Sequence, residues 1–439
     1  IAGTGGKITI IAGVAGDGVV TITSLAEETT LNLDDVSISG ATITCNSGTV
    51  IITHTDGATG RVYIENSTVN TSATQNTVLG RFDGTNLTGG QINLGNTNGA
   101  AGQAFDLQIV SGTFTANGGE VLNNESTPVS QGTGGGGAIR VISDDTLKLH
   151  AQAAAATASS ASFNANGADQ TNGNGGNAGG TITFSANTGA GNIVVNTSGG
   201  VNANGGNRGN GGTILVNCSA NAVVRAITVA TATNMSANAG TNAYVDPTGQ
   251  VLDGGIGGTI TITDATTAAT SSTIVAGTLS ANGGDNAGGP GGFGGTIGVQ
   301  RAAVATGTVT LSGTYNANGG TSTYASGGLG GDAGSIRASE NVVGMNAGIV
   351  CTGATFNANG GVGTSTGGDG GTVDLDNENG GALTITFVTT NSSVNIAAGT
   401  GNASGSLGVF LFDPDGDQSL PTTGVLATGT ANATVLQNN

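Results

Sequence analysis

LSANGGDNAGGPGGFGGTIGV, residues 279–299, decides the fold, because nearly every feature of it recurs six more times between residues 114 and 375. Two anchors define the repeat. The first is a large apolar residue, a variable residue, then Ala-Asn: FTAN ending at Asn117, FNAN at Asn166, VNAN at Asn204, MSAN at Asn238, LSAN at Asn282, YNAN at Asn318 and FNAN at Asn359. The second is a Gly-rich run that ends in a short strand pattern: AIRV from Ala138, TITF from Thr181, TILV from Thr213, TITI from Thr259, TIGV from Thr296, SIRA from Ser335 and TVDL from Thr372. The second position of each is Ile or Val and the fourth is apolar, a period of two that predicts strands with one buried face.

The spacings separate scaffold from insertion. From each strand start to the next anchor Asn the intervals are 28, 23, 25, 23, 22 and 24 residues; from anchor Asn to the following strand start they range from 9 to 21. A module of this size, with three short apolar stretches at 259–263, 273–276 and 278–281 in one copy, reads as one coil of a solenoid. The expected fold is all-β, a right-handed parallel β-helix with Gly-rich insertions on one edge. Seven coils at roughly 4.8 Å each give an axis of about 34 Å.

Asn117, Asn166, Asn204, Asn238, Asn282, Asn318 and Asn359 are then expected to stack as an asparagine ladder. Asn tolerates the φ > 0 of a tight bend, and stacked amides can hydrogen-bond along the axis. The alternative is a row that binds a ligand.

Composition narrows the function. The 439 residues hold 84 Gly, are 36% apolar and only 8% charged, and carry a formal net charge of −18. Nine Lys and Arg in the whole chain argue against a nucleic-acid surface or an anionic-membrane binder. Acidity keeps a Gly/Thr surface soluble and suits divalent cations. Cys45, Cys218 and Cys351 are odd in number and far apart, and read as small buried residues rather than a disulfide framework. No run is apolar enough over a sufficient length for membrane insertion. An opening at Ile1 without Met or a basic stretch fits a processed product or a fragment of a longer precursor.

Three regions are expected. Residues 1–112 lack the Ala-Asn anchor but are strand-dense, and read as compact coils or a cap; residues 113–375 are the seven modules; residues 376–439 hold further coils and an extended tail. Only residues 146–160, TLKLHAQAAAATASS, have helical propensity, enough for a short inserted helix.

At these motifs the sequence resembles the large secreted β-helix proteins of bacteria, filamentous-haemagglutinin-like exoproteins and autotransporter passengers. The FxxN pattern with GGAI at 136–139 is similar to the repeats of polymorphic membrane proteins, and GVFLFDPDG at 408–416 resembles a VFLINPNG-type segment of the haemagglutinin-like group. The resemblance implies an extracellular or cell-surface location and a structural or adhesive use.

Three chemistries have candidate residues in the chain. Asp413, Asp415 and Asp417 alternate in DPDGDQS, a spacing that can gather hard oxygens around calcium or form a solvated turn. IRVISDDTLKLH brings Arg140, Asp144, Asp145, Lys148 and His150 close in sequence, the densest candidate for a polysaccharide lyase or hydrolase. A stacked Thr surface suited to ice is tempting at TIT 181–183 and 259–261, but the outward third position of those strands is broken by Arg140, Leu215, Gly298, Arg337 and Asp374. The reading is therefore a structural or adhesive surface protein. Its partners are expected to be copies of itself, joined head to tail with residues 424–436 adding a strand to the neighbour, and surface glycans or neighbouring cells.

Overall fold

A computed structural model describes residues 9–11, 19–24, 36–54, 60–73, 88–95, 105–119, 134–151, 157–169, 176–187, 191–218, 226–242, 252–265, 270–301, 306–340, 348–377, 384–388, 392–413 and 434–436. Among them every regular element is a strand, and the strands form three parallel sheets stacked in chain order, a parallel β-helix. Sheet A runs over 11 strands from Thr9–Ile11 to Ser393–Asn395, sheet B over 12 from Val19–Ser24 to Thr434–Leu436, and sheet C over 10 from Val36–Ser39 to Thr384–Val388. The sheets thus begin before residue 112 and continue beyond 375.

One coil shows how the chain visits them. Thr278–Ser280 lies in sheet A, the Gly-rich insertion follows, then Thr296–Arg301 in sheet B and Thr306–Leu311 in sheet C, and Thr314–Asn316 starts the next coil in sheet A. Pairing is in register: Leu279 with Tyr315, Ile297 with Ile336, Val309 with Ile349. Because side chains alternate along a strand, that register stacks like residues on like. Thr259–Asp264 alternates partly exposed and buried residues along its length, and Ile260 and Ile262 are fully buried. Burial of each such side chain stabilises the column by roughly 1.5–3 kcal/mol. The anchor aromatics stack as well, Phe114 on Phe163 with ring centroids 5.0 Å apart and Tyr315 on Phe356 at 5.0 Å, and Phe184 of sheet B meets Phe163 edge-on at 5.1 Å. Buried Tyr315 satisfies its hydroxyl by donating to the Val275 carbonyl at 2.7 Å.

The insertions leave the column between sheets A and B, and they are packed rather than looped away. Their backbones bond across rungs: Gly284 N–H donates to Gly255 O at 3.0 Å, Gly320 to Gly292 at 2.8 Å, Gly361 to Gly331 at 2.8 Å and Gly399 to Gly368 at 2.8 Å. The return to sheet B is made by glycine on ten consecutive rungs, from Gly48 to Gly408, each placed immediately before its strand. A Cβ on Gly258 would lie 2.1 Å from the Gly212 carbonyl oxygen, and one on Gly295 2.1 Å from that of Gly258. Close approach of backbones, not a positive φ, is what requires glycine there.

Two expectations are corrected. Residues 147–149 are a strand, Leu147–Leu149, paired with Leu107 on one side and Ile193 on the other, and His150 bridges Ala158. Sheet pairing on both flanks overrides the helical propensity at residues 147–149; residues 152–156 of the stretch lie outside the described residues. The anchor asparagines do not take φ > 0; among described non-glycine residues only Ser47, Asn66 and Arg208 do. Cys45, Cys218 and Cys351 are buried and form no disulfide.

Candidate binding face

Sheet A turns its apolar residues inward, and what it turns outward is uniform. On each rung the residues flanking the inward side chain, and the anchor position two further on, face solvent: Thr278, Ser280 and Asn282; Thr314, Asn316 and Asn318; Thr355, Asn357 and Asn359. Strand pairing aligns these positions from Thr42, Thr44 and Asn46 to Ser393, Asn395 and Ala397 over ten rungs. Of the 30 positions, 28 are Thr, Ser or Asn; the exceptions are Gly200 and Ala397, and none is charged. All are partly or fully exposed. Rows lie about 6.6 Å apart along the strand and rungs about 4.8 Å apart along the axis, so the face is a regular grid of hydroxyls and amides.

The anchor asparagines form its third row, and they do make a ladder. Each side-chain Oδ1 accepts the backbone N–H of the anchor residue on the next rung: Asn166 to Asn117 at 2.8 Å, Asn204 to Asn166 at 2.9 Å, Asn238 to Asn204 at 2.9 Å, Asn282 to Asn238 at 2.7 Å, Asn318 to Asn282 at 2.9 Å and Asn359 to Asn318 at 2.9 Å. Ala397 N–H donates to Asn359 and Asn117 N–H to Ser72 Oγ, extending the chain of bonds at both ends. The second row is also linked through side chains: Asn357 Nδ2 donates to Asn316 Oδ1 at 2.8 Å and Asn395 Nδ2 to Asn357 Oδ1 at 2.7 Å. These bonds fix the amide orientations.

Acidic residues sit elsewhere. Asp169, Asp285, Asp332 and Asp369 lie on the Gly-rich insertions, and each accepts a backbone N–H from the following rung, at 2.9, 2.7, 2.8 and 2.6 Å. They repeat the asparagine device on the neighbouring surface, a use the sequence spacing did not disclose because the insertions vary in length.

The other candidate residues separate. Arg140 is exposed on the outward face of sheet B and Asp144 is fully buried at the turn that follows. Asp145 is partly exposed beside it, Lys148 pairs with Asp106 at 2.6 Å on sheet C, and His150 Nδ1 lies 2.7 Å from the Ala151 carbonyl. Asp413 ends the strand Val409–Asp413, while Asp415 and Asp417 lie outside the described residues. Among the described residues no three His, Cys, Asp or Glu side chains group as a metal site would. No helix there is long and apolar enough to cross a membrane. The outward third position of sheet B is mixed, as its sequence indicates; the array of Thr, Ser and Asn, broken only at Gly200 and Ala397 over these ten rungs, belongs to sheet A. Its signal was present in the variable residue of the anchor motif, which is Thr, Asn or Ser in all seven copies.

Comparison of the chain with protein-family models, with curated proteins and with solved structures gives no match in any of the three.

Proposed function

We propose that this chain is an extracellular structural and adhesive protein, a rigid column that presents sheet A as its contact surface. The observation that carries the reading is the 28 Thr, Ser and Asn residues aligned over ten rungs without one charge, in a chain of net charge −18. A fold maintains such a grid for contact with something extended, whereas a small substrate needs a few convergent groups in a cavity. The resemblance to secreted β-helix exoproteins accords with this use.

A further part of the proposal is that subunits join head to tail through the outermost described strands of sheet B. Sheet edges carry unpaired N–H and C=O groups that recruit strands. Thr434–Leu436 pairs in parallel with residues 409–411 of its own chain, so these residues of the 424–436 segment form the last described strand of sheet B; residues 424–433 lie outside the described residues. In the assembled filament that strand is the template for Val19–Ser24, the first sheet B strand of the next subunit.

Electron microscopy of the purified protein across concentration tests the junction. Fibres of uniform width are expected from the full chain, and separate short rods with unchanged β circular dichroism after deletion of residues 421–439. Fibres that persist after the deletion would remove the junction, and rods at every concentration would remove assembly altogether. Repeating the series with a calcium chelator decides whether assembly depends on calcium, the ion proposed for Asp413, Asp415 and Asp417.

A further inference from the structure

We infer that the outward face of sheet A binds a neutral, extended polysaccharide laid along the column axis; this rests on the reading of the face as adhesive. Three features of the grid select that partner. First, none of the 30 outward positions of sheet A carries an ionic group, so an anionic or cationic polymer laid on them would lose its hydration without a countercharge from the face. Second, the ladder consumes acceptors. Oδ1 of Asn282 takes the N–H of Asn318 at 2.9 Å and its Nδ2 at 3.1 Å, and Oδ1 of Asn318 does the same for Asn359. Each Asn amide carries two N–H groups, and one bond along the axis uses only one of them. The anchor row therefore offers donors, to a partner rich in hydroxyl, ring and glycosidic oxygens. Third, two rungs, about 9.6 Å, are comparable with the two-sugar repeat of an extended β-linked chain whose successive sugars are turned over, so one polymer can present like groups to every second rung.

The mode follows from what the face lacks. Phe114, Phe163, Tyr315 and Phe356 all point into the column, so no aromatic platform stacks on a sugar ring. Each sugar gains only exchanged hydrogen bonds, and net affinity comes from many linked contacts on one chain. Binding should be negligible for short oligosaccharides, strong for long polymers and insensitive to salt.

The test is depletion of the full chain from solution by insoluble amorphous cellulose, a neutral β-linked glucan, at low salt and at high salt. Retention is expected to be equal in both, to resist competition by cellotetraose, and to drop at least tenfold in the double variant Thr278→Arg, Thr355→Arg. The double variant Thr213→Arg, Thr296→Arg, on the outward face of sheet B, should bind as the parent does. Hydrogen exchange on the unmodified chain, with and without a long soluble neutral glucan, should place protection in sheet A strands, so the result does not depend on a variant that folds.

No retention on the glucan overturns the inference, as do retention abolished by salt, equal loss in both double variants, or protection outside sheet A. Shaping of ice crystals without glucan binding would give the grid to an ordered water surface, and face-to-face pairing of columns without glucan binding would give it to a second copy. Glucan binding by rods that never form fibres would leave this inference standing and remove only the head-to-tail junction.

Discussion

Asn282 condenses the economy of the molecule. Its side-chain oxygen receives the Asn318 backbone N–H at 2.9 Å, and its own N–H donates to Asn238 Oδ1 at 2.7 Å, so one residue links three rungs. The important atom is the acceptor. Asn282→Ala should cost about 1–2 kcal/mol, the loss of a part-buried backbone hydrogen bond, whereas Asn282→Asp keeps an oxygen in the same place and should cost less than half as much near neutral pH. Urea denaturation of the two variants checks this; equal losses would mean that the ladder contributes nothing through its acceptor. The ladder itself was legible, because the same residue recurs at the same offset from an apolar partner. Its mechanism was not. A positive φ and a side-chain-to-backbone bond both favour Asn at a bend, and only coordinates show that the anchor residues avoid the first and use the second.

At the scale of elements, the strands of sheet B were legible and the junctions that lead into them were not. Alternation marks Thr259–Asp264 or Thr296–Arg301 in any sequence window, since burial on one face imposes a period of two. The Gly-rich insertions have no period and vary in length, so their tight packing into adjacent rungs leaves no signature except the glycine that always precedes the strand. That glycine predicts a sharp steric effect. With a Cβ on Gly258 only 2.1 Å from the Gly212 carbonyl oxygen, Gly258→Ala forces two rungs apart at a place where both partners are backbone and neither can rotate away. The expected cost is about 3 kcal/mol or more. Gly298→Ala is the matched control, with nothing within 4 Å of its added methyl. Thermal unfolding of the two variants should differ by many degrees; similar midpoints would show that the junction relaxes and that glycine is there for another reason. The uncharged face of sheet A lies between these extremes of legibility. Its residues are readable in every anchor motif, but their alignment on one surface depends on a register that the sequence states only once the sheets are known.

The whole molecule is a one-dimensional stack in which each coil is held by its neighbours, so a local ionisation should be felt along the axis. Cys351 and Tyr315 are placed to make that visible. Both are buried in the coils near the C-terminal end, and burial pushes the Cys351 thiol from its usual value near 9 up to about 12. Burial, reinforced by the nearby Cys351, also holds the Tyr315 hydroxyl well above its usual 10. Both groups are neutral below pH 9 in the folded and unfolded chain, so their contribution to stability is fully present there. Above pH 9 the unfolded chain releases the thiol proton while the folded chain retains it, and stability falls by roughly 1 kcal/mol per pH unit until about pH 12; Tyr315 adds to the slope from pH 10 upward. The loss should begin in the coils that contain residues 314–357 and spread to adjacent rungs, because removing one coil strips its neighbours of their sheet partners. Hydrogen exchange at pH 7 and at pH 10.5, corrected for the intrinsic rate, should show protection lost first in the strands Thr314–Asn316 and Gly348–Thr352, before the coils around Phe114 and Phe163. In Cys351→Ala, which removes the ionisable group without overpacking the core, the slope between pH 9 and 10 should flatten. Uniform loss along the whole column, or an unchanged slope in that variant, would place the alkaline weakness in the general negative charge of the chain and not in this pair.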